Sequence, residues 1–335
     1  MNTNEKYIKR CIEIAKNGLT KAMPNPSVGA VIVYNDTIIG KGFTSSYGGN
    51  HAEVNAINSV KDKSLLSKST IYVSLEPCSH FGKTPPCCNL IIENNIPNIV
   101  VGILDSNEKV AGKGIKKLLD SGKNVIVGVL EKECYESNIR FFTFHDKKRP
   151  YIILKWAETQ NGFIAPLIRN EQKPVWITNE FSRQLVHKWR SEEQAILVGT
   201  QTVIDDNPKL DVRDWTGKNP IRIVLDLKNR IPKENHIFDN QQETIFISNE
   251  NINPENNLAS EIANLLYDKN IQSVIIEGGR QTLQTFIDAN LWDEARVFKG
   301  NLFFEDGIKA PVLNKKWISK TTILNDELLI FRNYD

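Results

Sequence analysis

One histidine, one glutamate and two cysteines constrain the first half of the chain more than any other feature. His51 and Glu53 stand two residues apart, and Cys78 and Cys87 follow, each directly after a proline. Imidazole and thiolate groups are preferred zinc ligands, and a set of three leaves the fourth position of the metal open for water. A glutamate that is not a ligand can then carry protons between that water and a leaving group. The pattern predicts one zinc ion on His51, Cys78 and Cys87, with Glu53 as the catalytic residue.

The secondary structure expected around these residues supports a shared site. A helix predicted at residues 51–60 begins at His51 and presents Glu53 toward the same cavity. A strand predicted at residues 71–75 ends shortly before the first cysteine. The second cysteine begins the next helix, whose amino terminus favours a thiolate. A lone His-x-Glu pair carries no information, and two cysteines can be ordinary buried thiols, but together in this context they favour a zinc deaminase.

Cys88 lies directly beside the second proposed ligand, and only one of these two thiols is expected to reach the metal. Adjacent residues on a helix point about 100° apart, and the proline before Cys87 favours Cys87 as the ligand. Cys11 and Cys134 are expected to be ordinary core or surface thiols.

Length and composition describe an ordinary globular protein of two domains. The 335 residues exceed the usual size of a single core, and 42 basic against 40 acidic residues give a net charge of +2. This balance argues against nucleic-acid and membrane partners, and the first residues lack the apolar core of a signal peptide. Five cysteines, three of them clustered, favour metal chemistry in a reducing compartment over disulfides. We expect a cytoplasmic homo-oligomer that acts on a small molecule.

Strand and helix patterns alternate along both halves of the chain, which predicts an α/β protein. A polar break at residues 145–150 separates the halves, so we place one domain at residues 1–146 and another at 147–335. The outermost helices of the first domain are expected at residues 5–17 and 131–144. In the second domain, strands are expected near 151–156, 195–199, 221–226, 244–248 and 273–277, and helices near 179–190, 258–268 and 280–290.

The loop between the two cysteines, residues 79–86, is longer than the two-residue loop of the short deaminase signature. Its eight residues bring His80 and Lys83 close to the predicted metal site. We expect both side chains to meet a phosphate group of the substrate, and a loop that is merely solvated is the alternative interpretation.

Three segments of the first domain together resemble a known family. Residues 24–29 read Pro-Asn-Pro-Ser-Val-Gly, residues 51–54 read His-Ala-Glu-Val, and residues 75–87 carry the expanded cysteine loop. They are similar to the deaminase half of the bifunctional deaminase–reductase of riboflavin biosynthesis, for which the expanded loop is highly specific. The resemblance implies a cytidine-deaminase-like three-layer α/β/α domain, with zinc on the ligands named above and Asn25 near the pyrimidine. One departure is Thr44, which stands where the family usually has a histidine.

The residues of the second domain offer one local signal for ligand binding. A buried strand at residues 273–277 leads into Gly278-Gly279 and then a helix, and the free N–H groups of such a turn can hold a phosphate. The same turn is common without a ligand, and the sequence has no Gly-x-Gly-x-x-Gly dinucleotide fingerprint. These residues alone leave the role of the domain open.

Several segments of the second domain are similar to the reductase half of the same family, which has a dihydrofolate-reductase-like α/β fold. They are residues 155–157, 176–178, Arg190, 195–203, 206–213, 221–226 and 277–279. The resemblance implies NADPH as the cofactor, with contacts from Ala157, Trp176, Thr202, Asp206 and Gly279. It implies four substrate contacts as well, namely Arg190, Leu210, Arg213 and Glu277. Arginines suit a ribose phosphate as bidentate donors, and the glutamate can accept from ribose hydroxyls.

Departures from the family pattern are heavier in the second domain. Asn161 replaces an acid by an amide, and the residues around Pro174 lack a serine that would contact the substrate. The chain after Gly300 is also short and irregular. Because both arginines, Glu277 and the glycine turn remain, we expect a reductase that is altered in rate or geometry rather than lost.

The combined prediction is a two-step enzyme of riboflavin biosynthesis. Zinc hydroxide would hydrolyse the exocyclic amine of 2,5-diamino-6-(5-phosphoribosylamino)pyrimidin-4-one, with Glu53 as the proton carrier. NADPH would then reduce the ribosyl group to a ribityl chain. One alternative is a zinc nucleoside or tRNA deaminase fused to a non-catalytic nucleotide-binding domain. Another is a zinc-stabilised binding protein whose second domain senses a nucleotide without turnover.

Overall fold

The computed structural model describes residues 2–81, 85–106, 111–169, 171–253 and 255–334, and the chain divides into two units. The first unit spans Met1–Lys147 and the second spans Lys148–Asp335, so the boundary lies one residue after the expected one. Among the described residues, no helix is both long and apolar enough to cross a membrane.

A central sheet of five strands organises the described part of the first unit. The strands are β1 (Gly29–Tyr34), β2 (Thr37–Phe43), β3 (Thr70–Leu75), β4 (Asn98–Ile103) and β5 (Asn124–Val127). Their order is β2-β1-β3-β4-β5; β1 runs antiparallel to both neighbours, and β3, β4 and β5 run parallel. The loops that follow β3 and β4 therefore leave the same edge of the sheet, where α/β proteins place their ligands.

The helices of the first unit complete an α/β domain. They are α1 (Thr3–Ala15), α2 (Ala52–Ser59), α3 (Cys87–Glu93), α4 (Lys113–Asp120), α5 (Glu131–Ser137) and α6 (Ile139–Lys147). The first helix begins two residues earlier than expected because Asn2 and Glu5 form a reciprocal capping box. The prediction of a single helix at residues 131–144 was wrong. The chain leaves helical geometry at Asn138 and forms two shorter helices.

The second unit contains a mixed sheet in its described part. Its strands are β6 (Tyr151–Glu158), β7 (Phe163–Ala165), β8 (Ala195–Gly199), β9 (Ile221–Leu225), β10 (Thr244–Ile247), β11 (Ser273–Ile276), β12 (Glu294–Lys299), β13 (Ile308–Lys309), β14 (Ser319–Ile323) and β15 (Asp326–Arg332). Its helices are α7 (Glu180–Glu192), α8 (Thr200–Asp206), α9 (Leu258–Asp268) and α10 (Arg280–Asp288). Eight strands follow the order β10-β9-β8-β11-β6-β12-β15-β14, and β7 pairs separately with β13.

The expectation of an irregular chain after Gly300 holds for residues 300–318, apart from the two-residue strand β13, and was wrong for the two strands that follow. Residues 327–332 of β15 pair antiparallel with β12, and β14 and β15 form a hairpin at the edge of the sheet. The pairing buries Leu328 and Phe331 in the sheet. Only some residues of β15 are apolar and buried, so its sequence gives a weak strand signal. Its pairing partner, β12, lies about 30 residues earlier in the chain.

Candidate functional site

Three loops bring the predicted metal ligands together in the first unit. His51 is the residue directly before α2, Cys78 lies in the loop after β3, and Cys87 is the first residue of α3. The Nδ1 atom of His51 lies 3.3 Å from the Sγ atom of Cys87 and 3.6 Å from that of Cys78. His51 occupies the capping position of α2 without a side-chain capping bond, and its ring lies against the two thiols.

The chemistry of this cluster fits a zinc ion. One imidazole nitrogen and two sulfur atoms lie within 4.8 Å of one another, and they form the one such group of three or more in the described parts of the chain. The backbone N–H of Cys87 also points at the Cys78 sulfur, with a nitrogen-to-sulfur distance of 3.3 Å. Three nitrogen and sulfur ligands with an open fourth position are typical of catalytic zinc.

Hydrogen bonding inside the cluster redistributes protons among the ligands. Bonding from the Cys87 side chain, and then from His51, lowers the pKa of the Cys78 thiol to about 4. The same contact with Cys78 raises the pKa of Cys87, and Cys78 raises the pKa of His51 to about 9. The three groups therefore lie in direct contact, and one of the two thiols is held as a thiolate.

Glu53 lies in the first turn of α2, two residues after the histidine ligand. Its side chain is buried, with 4% of the residue exposed, and burial raises the pKa of its carboxyl group to about 7. A carboxyl group that gains and loses its proton near neutral pH suits proton transfer. The structure thus places an acid–base group beside the metal ligands.

The thiol of Cys88 points away from the metal cluster. Its Sγ atom donates to the carbonyl oxygen of Pro77 at 3.2 Å and to that of Gly114 at 3.5 Å. Burial raises the pKa of this thiol to about 12, so it stays protonated as a donor. Cys87 and not Cys88 therefore faces His51.

Glu76 is a residue of this region that the sequence reasoning missed. Its buried carboxylate accepts backbone hydrogen bonds from Gly112 and Gly114 at 2.9 Å and from Asp105 and Ile115 at 3.3 Å. It thereby ties the segment that carries Cys78 to the start of α4. The signal was present in the sequence as an acidic residue two positions before a metal ligand, but the partners lie 29 to 39 residues away.

Four further residues of the first unit were singled out from the sequence, namely Asn25, His80, Lys83 and Thr44, and the structure describes three of them. Asn25 is half-buried in the loop that enters β1, and the register places that loop beside the end of β3. His80 is exposed after the first cysteine ligand, and Lys83 lies outside the described residues. Thr44 is buried, and its Oγ1 accepts from the N–H of Val28 at 2.9 Å, so this residue holds the entry to β1.

A cavity of about 960 Å³ lies in the second unit, at the carboxyl ends of the adjacent parallel strands β8, β11 and β6. All nine residues expected at the reductase site line it. They are Ala157, Trp176, Arg190, Thr202, Asp206, Leu210, Arg213, Glu277 and Gly279. Ligand pockets usually measure about 300–1,000 Å³, so this one has room at the upper end of the range.

Three charged side chains, each only 8–15% exposed, form one wall of this cavity. Arg190 binds the carboxylate of Glu277 through two bonds, from Nη2 at 2.7 Å and from Nε at 3.2 Å. Lys155, which the sequence reasoning gave no role, lies with its Nζ 3.6 Å from the same carboxylate. Burial alone would raise the pKa of Glu277, but the two cations outweigh it and lower that pKa to about 2. Burial lowers the pKa of Lys155.

The glycine turn and its neighbour form another part of the wall. Gly278 and Gly279 have φ angles of 150° and 68°, which favour glycine, and they lead directly into α10. A Cβ atom at Gly278 would lie 2.8 Å from the hydroxyl oxygen of Thr202. The backbone at Gly278 therefore approaches Thr202 closely. Gly279 occupies the N-cap position of α10 and has no side chain that could accept from the first N–H groups of the helix.

Asp206 and Trp176 are both engaged by arginines. Arg169 forms an ion pair with Asp206, and burial raises the pKa of this aspartate even so. The guanidinium of Arg183 stacks 4.6 Å from the ring centre of Trp176, which is half exposed. Arg169 is a further cavity residue that the sequence reasoning missed, because it lies in an irregular stretch without a motif.

The two departures in the second unit affect the cavity unequally. Among the described residues, the lining includes Pro174 but not Asn161. The Asn161 amide donates to the carbonyl of Phe304 at 2.6 Å and accepts from its N–H at 3.3 Å. The amide thus joins two chain segments through a reciprocal pair, for which an ionised aspartate lacks the donor.

Comparisons with known proteins assign both units. Residues 1–103 match the cytidine and deoxycytidylate deaminase zinc-binding region, and residues 150–304 match the RibD C-terminal domain. The riboflavin biosynthesis protein RibD of Aquifex aeolicus (strain VF5) is 35% identical, with 98% of each chain covered. The chain belongs to the RibD family. The RibD protein of Chlamydia pneumoniae is 34% identical over 92% of this chain and 86% of its own length.

Solved RibD structures agree with the fold of the whole chain. The diaminohydroxyphosphoribosylaminopyrimidine deaminase/5-amino-6-(5-phosphoribosylamino)uracil reductase of Thermotoga maritima has a TM-score of 0.89 and 36% identity, with 98% of each chain covered. RibD of Acinetobacter baumannii also has a TM-score of 0.89, with 29% identity and 99% of each chain covered. The chain is therefore a bifunctional enzyme of riboflavin biosynthesis, with a zinc-binding deaminase domain and a reductase domain. Both alternatives considered from the sequence, the fused nucleoside deaminase and the binding protein, are wrong.

Proposed function

We propose that the first unit hydrolyses the exocyclic amine of the phosphoribosylamino-diaminopyrimidinone and that the second unit reduces the ribosyl group of the product with NADPH. One observation carries the proposal for the reductase. Nine residues, separated by up to 122 positions in the sequence, line a single cavity with room for a cofactor and a substrate. The similar protein from Thermotoga maritima is named for the same pair of reactions.

For the deaminase, the roles divide between the ligands and Glu53. A zinc ion on His51, Cys78 and Cys87 would supply an activated water at neutral pH. Glu53 takes a proton from the attacking water and returns one to the departing ammonia. We assign Asn25 to the pyrimidine, because its loop enters the sheet beside the segment that carries Cys78. His80 and Lys83 are assigned to the phosphate of the substrate.

For the reductase, the charges in the cavity suggest how substrate and cofactor divide the space. NADPH would supply a hydride to the first carbon of the sugar, and we assign its contacts to Ala157, Trp176, Thr202, Asp206 and Gly279. Asp206 would have to exchange its ion pair with Arg169 for the cofactor. Leu210 is assigned to packing against the substrate.

Arg213 is better placed than Arg190 to hold the substrate phosphate. Its side chain is 43% exposed, and one of its nitrogens contacts Asp211 at 2.7 Å, so most of its N–H donors remain for a ligand. All three guanidinium nitrogens of Arg190 already donate hydrogen bonds, two to Glu277 and one to the Asp211 carbonyl. Arg190 therefore acts mainly by orienting Glu277. Opening of the ribose ring requires a proton at the ring oxygen, and Lys155 is the buried cation beside Glu277 that can provide it.

Mass spectrometry of the reaction products tests both steps. With the diamino substrate alone, we expect one ammonia released per molecule and a product heavier by about one mass unit. With NADPH added, we expect a further gain of about two mass units and an equal amount of NADPH oxidised. Deamination without any NADPH-dependent product would refute the reductase proposal, and an unchanged substrate would refute the deaminase proposal.

The expected homo-oligomeric state, the absence of nucleic-acid partners and the cytoplasmic location stay predictions. Analytical ultracentrifugation of the purified protein would test the first of them.

A further inference from the structure

One carbonyl group in the second unit receives hydrogen bonds from two residues of the same helix. His187 and Arg190 lie one turn apart on α7, and both contact the backbone oxygen of Asp211. The Nδ1 atom of His187 lies 3.0 Å from that oxygen, and the Nη1 atom of Arg190 donates to it at 3.2 Å. His187 is buried and is not one of the residues that line the cavity, so it can act there only through its neighbours.

The carbonyl belongs to a short loop, residues 210–214, that carries two of the proposed substrate contacts. Leu210 is buried with a φ of 56°, a left-handed conformation that a leucine adopts only when its surroundings hold it. Val212 donates its N–H to the side chain of Asn219 at 2.8 Å. Arg213 reaches back to the carboxylate of Asp211 at 2.7 Å. The conformation of the loop is therefore fixed by several contacts, and the bonds from His187 and Arg190 are more buried than those of Val212 and Arg213.

The second ring nitrogen of His187 faces the far end of the same loop. Its Nε2 atom lies 3.2 Å from a carboxylate oxygen of Asp214, whose side chain is about half exposed. Burial, then Arg190 and Arg213, lower the pKa of His187, while Asp214 and the Asp211 carbonyl act in the opposite direction. A neutral ring has a single N–H donor. The Asp214 carboxylate is about half exposed and can bind water instead, whereas the Asp211 carbonyl lies in a partly buried contact. We therefore place the ring hydrogen on Nδ1, toward the Asp211 carbonyl.

We propose that His187 is a positioning residue of the reductase, which fixes the Asp211 carbonyl and so holds Arg213 and Leu210 toward the phosphate end of the substrate. The inference rests on the proposed function of the second unit. It adds a residue outside the cavity to the recognition of the phosphorylated substrate. It also gives a role to a buried histidine of α7 that lies one turn from Arg190.

Two substitutions separate the two nitrogens of the ring. In His187→Asn the side-chain amide nitrogen takes the place of Nδ1 and can still donate to Asp211. In His187→Gln the amide reaches only as far as the position of Nε2, near Asp214. His187→Ala removes both contacts, and Gln184→Ala, an exposed position on the same helix, serves as the matched control. The Gln variant keeps most of the side-chain volume, so it remains informative if the Ala variant folds poorly.

Steady-state kinetics of NADPH oxidation with the deaminated pyrimidine provides the first measurement. We expect the KM for the pyrimidine to rise roughly tenfold in the Ala and Gln variants, as the loss of one hydrogen bond near a charged contact would produce. The KM for NADPH and the rate of ammonia release are expected to change less than about twofold, and His187→Asn is expected to stay near wild type. An equal increase in both KM values, or no rescue by Asn, would overturn the proposal, because a general structural defect produces that result.

Hydrogen–deuterium exchange of the free enzyme provides the second measurement and needs no turnover. We expect faster exchange of the amides at residues 212–214 in the Ala and Gln variants and unchanged exchange in the Asn and control variants. Unchanged exchange in every variant would show that His187 does not hold the loop. If wild type fails to oxidise NADPH while exchange follows the expected pattern, the proposed reductase reaction is wrong and the role of His187 in fixing the loop stands.

Discussion

The carboxylate of Glu76 accepts a hydrogen bond of 2.9 Å from the backbone N–H of Gly114, and this bond joins the metal-binding loop to α4. Helix α4 starts from Gly112, which has no side chain to cap the first N–H groups. Glu76 supplies the missing acceptor from 38 residues away. The two segments also approach closely, since a Cβ atom at Gly114 would lie 2.1 Å from the carbonyl oxygen of Pro77. A carboxylate at a helix amino terminus is favoured by the helix dipole as well.

The substitution Glu76→Gln tests this connection. The amide can accept at one end only, and its NH₂ group would face the backbone N–H donors that the second carboxylate oxygen now satisfies. We expect the free energy of unfolding of the first unit to fall by roughly 2 kcal/mol or more, and zinc to be lost more readily to a chelator. Thermal melting and zinc release would be compared with Glu93→Gln, an exposed glutamate of α3. Equal stability of the two variants would contradict the assigned role.

The adjacent cysteines provide a direct test of the metal ligands. Cys87→Ser is expected to lower the zinc content of the purified protein strongly, because a hydroxyl is a much weaker ligand than a thiolate. Cys88→Ser is expected to keep one zinc per chain, since a serine hydroxyl can also donate to the carbonyls of Pro77 and Gly114. Zinc would be measured by elemental analysis of the folded proteins. Loss of zinc from both variants to the same extent would argue against Cys87 as the ligand.

Glu53→Gln should separate metal binding from catalysis. The amide fills the same buried space beside His51 but does not exchange a proton at neutral pH. We expect ammonia release to fall by at least about a hundredfold while zinc content and the reduction of supplied deaminated pyrimidine stay unchanged. Ammonia production and zinc content would be measured on one preparation. Continued deamination at the wild-type rate would remove Glu53 from the mechanism.

Local patterns along the chain were sufficient to predict much of the fold. The five strands expected in the second domain are present, and so are its three expected helices, because each is a continuous apolar or amphipathic stretch between clear breaks. The strands after Gly300 were missed, since β13 pairs with β7, β15 pairs with β12 and β14 pairs with β15, and local sequence does not show these partners. The end of the helix expected at residues 131–144 depends on one backbone departure at Asn138, which the side-chain pattern does not reveal.

The candidate sites show the same division between local and distant information. His51, Glu53, Cys78 and Cys87 were found because their chemistry and spacing are recognisable in the sequence. The residues that support the sites could not be found in this way. Glu76 and His187 contact backbone groups that are distant in the sequence. The sequence around a glutamate or a histidine does not indicate which distant backbone group it will contact. Only the folded chain shows which backbone group each of them meets.

The ion pair of Glu277 should make the stability of the second unit depend on acid pH. Since its pKa falls from 4.5 to about 2 on folding, the carboxylate stabilises the fold fully above pH 4.5 and loses this contribution as the pH falls toward 2. The pKa difference corresponds to about 3 kcal/mol. We expect Glu277→Gln to unfold at lower urea concentration than wild type at pH 6, with a gap that stays constant down to about pH 4.5 and narrows below it. A gap that stays constant down to pH 3 would contradict this, and Glu250→Gln, at an exposed position, provides the control.

Asn161→Asp tests whether the departure from the family pattern has become part of the structure. An ionised aspartate would place a carboxylate oxygen against the carbonyl of Phe304, where the amide now donates at 2.6 Å. Because the site is exposed, we expect a modest loss of about 1 kcal/mol in the free energy of unfolding at pH 7, recovered near pH 3 when the acid is protonated and can donate. Asn161 lies outside the cavity lining, so the KM for NADPH should change less than about twofold. Urea unfolding at the two pH values would be compared with Asn161→Ala, which also removes the donor but carries no charge. A stable aspartate variant at pH 7 would show that the reciprocal pair contributes little to the fold.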